Sequence, residues 1–384
     1  DDRIAVRELS VQAFGGSVQG EGEFVTTDQS YLAHLKLQDV DLSALADFVP
    51  GATGRLQADI GLQGKGQDLT QMAVYGSAAV LQGSYHGFAV ERADASFYRM
   101  GNALTLDFLS ARLPGGGSLG LEGSVDGDSL NMSFYASGAD LSQVQALEPQ
   151  ADMTGRADMQ GTVQGPLANP RVQVSFTAVD GALFKQPYTH LTGAASGSLD
   201  GIGIDSFTME NGGEPVWLVD GSIGFTGEKR VDLRIDTTGA RMEDIAALVA
   251  PDQPITGNVD NIIEITGTLD NPSAVGYIHF YQGSYRGMLL SGMDGDYTIR
   301  DGVTTLQDFH IYSPLVDMDL NGTINAEQEL NLRVAAHEIQ VDRFGSHLPY
   351  PLSGRGRFDG TIGGTLNSPL FEGRLDAREM VVNG

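Results

Sequence analysis

The sequence predicts an all-β fold: an elongated antiparallel sheet, curled lengthwise into a partly open groove, with short helices near 42–49, 141–148 and 242–250. Three observations carry this reading. Short runs alternate apolar and polar residues along most of the chain, as half-buried strands do. Glycine is 51 of 384 residues, without the three-residue period of collagen. Landmarks return in fixed order about every hundred residues, the mark of a repeat architecture.

The landmarks set the organisation. "DLSALADFVP" at 41–50 returns as "DLSQVQALEP" at 140–149, "MEDIAALVAP" at 242–251 and, degenerately, "VDRFGSHLPYP" at 341–351. Just after the closing prolines come Thr53-Gly54, Thr154-Gly155, Thr256-Gly257 and Ser353-Gly354. A third landmark ends at Pro170, Pro272 and Pro369, and a fourth at Gly22, Gly123, Gly221 and Gly322. Successive copies lie 97 to 102 residues apart. The heptapeptide "LQGSYHG" at 81–87 and its twin "YQGSYRG" at 281–287 are one position of this unit, which has become "DGALFKQ" at 180–186. The chain therefore divides into the second half of a unit (1–50), three whole units (51–152, 153–253 and 254–352) and a truncated unit (353–384). Both ends fall mid-repeat, so the chain reads as a fragment of a longer protein.

Each element follows from local pattern. The period-two runs place apolar side chains on one strand face, and that face is the candidate lining of the groove. In the first half of the chain it comprises Leu35, Leu37, Leu56, Ile60, Met132, Phe134, Met159, Val172, Val174 and Phe176. In the second half it comprises Leu233, Ile235, Ile263, Ile265, Ile278, Phe280, Leu330, Leu332, Val334 and Ile362. Asp126-Gly127, Asp220-Gly221, Asn321-Gly322 and Asp301-Gly302 are expected as hairpin turns, because Asp-Gly and Asn-Gly favour the tight two-residue type. At the usual turn spacing each unit should hold eight to ten strands. The helices close each unit, start near Asp or Ser and are stopped by proline. Leu42, Leu45, Ala46 and Phe48 should form the apolar face of the first.

A sheet with one apolar face must bury it. A repeat near one hundred residues is too long for a solenoid coil, and one short helix per unit cannot cover the sheet. Curling the sheet into a U remains. Its glycines would relieve crowding at the bends. An ordinary closed core, as in an adhesin or a β-helical rod, is the competing reading.

Charge and composition exclude several functions. With 23 Lys and Arg against 50 Asp and Glu, the formal charge of -27 disfavours nucleic acid as a partner. The chain has no cysteine, and therefore no disulfide or Cys-ligated zinc. No apolar run reaches the length of a membrane-spanning helix. "GGSLG" at 116–120 matches the nucleophile-elbow pattern, but strand-like sequence follows it where the motif needs a helix. The seven histidines have no metal-ligand spacing. We therefore expect no catalytic residues, no metal site and no cofactor, and read the chain as a non-enzyme.

"GTLDNPSAVGYIHFYQGSYRG", "GTVQGPLANPRVQVSFTAVDGAL" and "GTLNSPLFEGRLDAREMVVNG" share a form: Gly-Thr, an apolar residue, Pro, an alternating strand, then Gly. This resembles the interior repeats of the TamB and wider AsmA-like family of envelope proteins of diderm bacteria, over essentially the whole chain. The resemblance implies a β-taco in the periplasm, anchored to the inner membrane by an N-terminal helix that this sequence lacks. It implies phospholipids as cargo, carried between inner and outer membranes, and possible contact with an outer-membrane barrel similar to TamA. The alternative it leaves is a structural or assembly scaffold for outer-membrane proteins.

Overall fold

The computed structural model describes residues 2–66, 69–146, 152–249, 254–341 and 352–382. It is all-β and antiparallel, and falls into two compact units, Asp1–Asp200 and Gly201–Gly384. In the first unit the strands are β1 (Arg3–Ala13), β2 (Gly16–Val25), β3 (Ser30–Asp41), β4 (Ala52–Lys65), β5 (Ala73–Tyr85), β6 (Phe88–Met100), β7 (Ala103–Arg112), β8 (Ser118–Asp126), β9 (Ser129–Asp140), β10 (Met153–Pro166), β11 (Arg171–Leu183) and β12 (Gln186–Ser198). Each pairs with the next in an antiparallel meander. The second unit continues the same way within itself. Its strands are β13 (Gly201–Asn211), β14 (Glu214–Gly224), β15 (Arg230–Arg241), β16 (Ile255–Thr268), β17 (Pro272–Tyr285), β18 (Met288–Arg300), β19 (Val303–Tyr312), β20 (Val316–Ile324), β21 (Leu330–Gln340), β22 (Leu352–Thr365) and β23 (Ser368–Val382).

A helical segment follows β3, β9 and β15, so six strands separate its returns. This corrects the expectation of eight to ten. The strands are 9 to 15 residues long, and two of the expected turns lie inside strands. Gly221 sits mid-strand in β14 and Gly322 mid-strand in β20. Each faces the end of a register shift on the preceding strand, between Ile204 and Phe207 and between Leu306 and Phe309. Gly123 faces the same irregularity, between Leu106 and Leu109. Their φ angles of 136, 128 and 141° (Gly123, Gly221, Gly322) belong to glycine, and a Cβ would stand 2.1 to 2.2 Å from a facing carbonyl oxygen. Asp301-Gly302 does make a turn, whereas Asp126 ends β8 and the turn pair there is Gly127-Asp128.

The Thr/Ser-Gly landmark has a related cause. Gly54, Gly155, Gly257 and Gly354 lie within the register shifts that open β4, β10, β16 and β22, with φ from 117 to 142°. A bulge bends its strand and increases local twist.

The helical segments differ from one another. Leu42–Leu45 and Leu141–Ala146 are 3-10 turns, and α1 (Met242–Val249) is α-helical. Asp41 and Asp140 cap the first two, each carboxylate accepting the N–H of the residue two ahead at 3.0 Å. Leu42 is buried, but Phe48 is 82% exposed and Ala46 is exposed too. The expected four-residue apolar face fails because the turn stops at Leu45, before a second helical turn could align residue 48 with it. Positions 147, 148 and 250 of the expected helices, and most of the degenerate landmark at 341–351, lie outside the described residues.

Candidate functional site

Register brings the expected lining residues onto one face. In the first unit one cross-strand row runs Leu35, Ile60, Gly76, Phe97, Leu106, Gly123, Met132, Val163, Val172. A second, beside it, runs Leu37, Ala58, Ala78, Ala95, Leu109, Leu121, Phe134, Gly161, Val174. A third joins Leu56, Val80, Ala93, Ala111, Leu119, Ala136, Met159 and Phe176. In the second unit Leu233 faces Ile265, Ile235 faces Ile263, Asn261 faces Ile278 and Val259 faces Phe280. Further along, Leu332 faces Ile362, Leu320 faces Val334 and Ile324 faces Leu330.

Of the expected lining residues, Phe280, Leu332, Val334 and Ile362 are buried; the rest are half-buried and none is exposed. The opposite face of the same strands carries Gln57, Asp59, Ser133, Gln160, Gln173 and Arg333, all exposed. In a single-layer sheet, half-burial arises from the side chains of one face covering each other. Large and small residues alternate to allow this. The Phe134 ring lies where a Cβ on Gly161 would be, and the Phe176 ring does the same over Gly193. Phe309 covers Gly295 and Phe358 covers Gly360. Ring over glycine gives a smooth apolar surface without overpacking.

The second unit also shows how the sheet is bent. Arg286, in the turn between β17 and β18, donates from its guanidinium to the Asn367 Oδ1 at 2.7 Å. Asn367 lies in the turn between β22 and β23, at the opposite strand ends. In a flat sheet these ends would be roughly 50 Å apart. The strands are curled until one rim meets the other. The curl encloses the apolar face, because Phe309, Leu320, Leu332, Val334 and Ile362 on the strands between are its buried cluster.

A polar patch interrupts the lining. Trp217, the sole tryptophan, faces Thr237, which faces Asn261. The Tyr297 hydroxyl donates to the Asn261 Oδ1 at 2.9 Å, and burial pushes the Tyr297 phenol up from its ordinary value. Thr237 is buried, and the buried Trp217 Nε1–H finds no hydrogen-bond partner among the described residues. Sequence reasoning missed this patch, since it continues the period-two pattern with polar residues. A tryptophan in phase with Val219 was the available signal.

The polar face holds its own cluster. His279, Asp294, His310 and Asp319 lie on successive strands β17 to β20, and His337 on β21 completes the ladder. Asp319 pairs with His310 Nδ1 at 2.8 Å and His337 Nε2 at 2.6 Å. The bond from His310 holds the Asp319 carboxyl below its ordinary value, and Asp319 in turn raises the His310 imidazole. Among the described residues no group of three or more such side chains is arranged to hold a metal ion. Ser118 of "GGSLG" opens β8 and is followed by strand. In the first unit one hollow is lined by Lys36, Asp59, Arg92 and Asp94 together with Ala58 and Ala78, and another by Tyr135, Asp158 and Gln160 together with Met159 and Phe176.

Compared with known proteins, the chain matches no family model, no curated protein and no solved structure.

Proposed function

We propose that the apolar face carries the acyl chains of phospholipids, and that the protein is a segment of a periplasmic bridge between inner and outer membranes, as its resemblance to the TamB and AsmA-like repeats implies. One observation carries the reading: cross-strand rows of half-buried apolar side chains on a sheet that has no covering layer among the described residues. An acyl chain on such rows gains about 0.8 kcal/mol per methylene buried. Equivalent contacts recur from strand to strand, so a chain can advance without losing its hold. No step of this function needs a cofactor or a catalytic group.

The single tryptophan supplies the test. Trp217 lies on the lining face. Phospholipids brominated along their acyl chains should quench its fluorescence, while a water-soluble bromide should quench it weakly. Equal quenching by the two would sink the reading, and an assembly scaffold for outer-membrane proteins would then account better for the fold.

A further inference from the structure

The heptapeptide "YQGSYRG" ends at a place where the two rims of the second unit meet. Arg286 occupies the first turn position with φ 50°, and Gly287 the second with φ 78°, which makes a tight turn that projects the arginine from the strand ends. Its backbone N–H donates to the Pro254 carbonyl at 2.9 Å, anchoring the tip to the start of β16. Its guanidinium carbon stands 5.4 Å from the centroid of the Tyr285 ring, a cation–π contact that orients it. From there the side chain spans to Asn367.

A guanidinium is a poor match for this partner. One neutral amide oxygen uses a fraction of its five donors, whereas a phosphate would take two in parallel and carry the opposite charge. The position suits such a ligand. An amphiphile with its chains on the apolar face must leave its head at the mouth between the rims, where Arg286 sits. Elsewhere the chain is strongly acidic, at -27, and would repel phosphate. The equivalent tips keep the pairing of aromatic with basic: Tyr85 and His86 between β5 and β6, Phe184 and Lys185 between β11 and β12. Their backbone anchors match as well, from His86 N–H to the Gly51 carbonyl and from Phe184 N–H to the Asp152 carbonyl. In the middle tip the order is displaced by one residue, so Phe184 stands where His86 and Arg286 stand.

We propose that Arg286 is a binding site for the phosphate of an amphiphile whose chains lie on the apolar face, and that Asn367 is the competing partner that holds the arm across the mouth. The proposal rests on the acyl-chain reading above. Binding phosphate would exchange a neutral hydrogen bond for charge-assisted ones and release the rim contact, so the same residue selects the cargo and opens the seam.

The experiment compares a short-chain phosphatidylglycerol with the diacylglycerol of identical chains, titrated into the full chain and followed by Trp217 fluorescence and by native mass spectrometry. The unaltered protein should prefer the phosphate-bearing lipid by about ten- to a hundredfold. Arg286→Gln should abolish that preference, so that the two lipids bind alike. Arg286→Lys should restore part of it, and Asn367→Ala should tighten phosphatidylglycerol alone. A preference that survives in Arg286→Gln overturns the site while the groove reading stands. If the unaltered protein binds neither lipid, the groove reading fails and takes this site with it. If inorganic phosphate alone displaces the Arg286-dependent signal and diacylglycerol does not bind, the ligand is free phosphate and the lipid assignment is wrong.

Discussion

Replacing Phe176 by aspartate separates a groove that carries chains from a core that merely packs. Phe176 stands on β11 opposite Met159 and Gly193, half-buried, with its ring spread over the glycine. Truncating a fully buried phenylalanine costs about 3–5 kcal/mol. At half-burial, roughly 2 kcal/mol is the packing loss, and the alanine variant measures it alone. Aspartate adds little in the empty protein, because water reaches the side chain there. When an acyl chain covers the position, the carboxylate loses its water without gaining a partner, at about 2 kcal/mol or more. That is about a thirtyfold loss of occupancy at this station. Phe176→Ala should therefore lower the melting temperature by several degrees yet still load lipid. Phe176→Asp should melt close to it and load at least about thirtyfold less. Gln173→Asp, on the exposed face two strand positions from Ser175, should change neither. The assay is lipid retained per chain by mass spectrometry beside a thermal melt for each variant. If the aspartate and alanine variants load equally, chains do not lie over Phe176 and the reasoning fails.

Other consequences can be checked directly. Gly221→Ala forces a Cβ to 2.1 Å from the Asp232 carbonyl oxygen at φ 128°, and should destabilise the second unit by about 3 kcal/mol in urea unfolding; a change under about 1 kcal/mol would show the bulge to be soft. The His310–Asp319 pair predicts a pH dependence. His310 is raised in the folded state, so its contribution is present below the ordinary imidazole value and lost as pH rises through the raised one. Asp319 is lowered, so its contribution is present above the ordinary carboxylate value and lost as pH falls through the lowered one. The pair should thus help most between about pH 4 and about pH 6.5, and the second unit's melting temperature should fall from pH 6 to 8. Asp294 and Asp317 also face His310 and raise it, so Asp319→Asn should flatten this slope without erasing it.

Much of this protein is local, and the sequence by itself determined that part. Period-two alternation puts Val172, Val174 and Phe176 on one face whatever their partners, since successive strand side chains point to opposite sides. The repeat landmarks were legible for a similar reason. Gly54 and its three counterparts hold backbone angles that side-chain-bearing residues resist, so glycine returns wherever the bulge does. What sequence could not decide was anything set by which strands meet. Asp220-Gly221 and Asn321-Gly322 carry the letters of a turn, yet they lie mid-strand because their partners bulge opposite them. Strand length is likewise set by pairing, and six strands of 9 to 15 residues fill each unit where eight to ten were expected. The polar patch at Trp217, Thr237 and Asn261 is a cross-strand row, built from residues 20 or more apart. The meeting of Arg286 with Asn367, 81 residues on, required the summed bend and twist of every strand between them. Twist and curl accumulate over many small backbone deviations, none of which leaves a mark on any one residue, and so only the assembled sheet fixes where its rims come together.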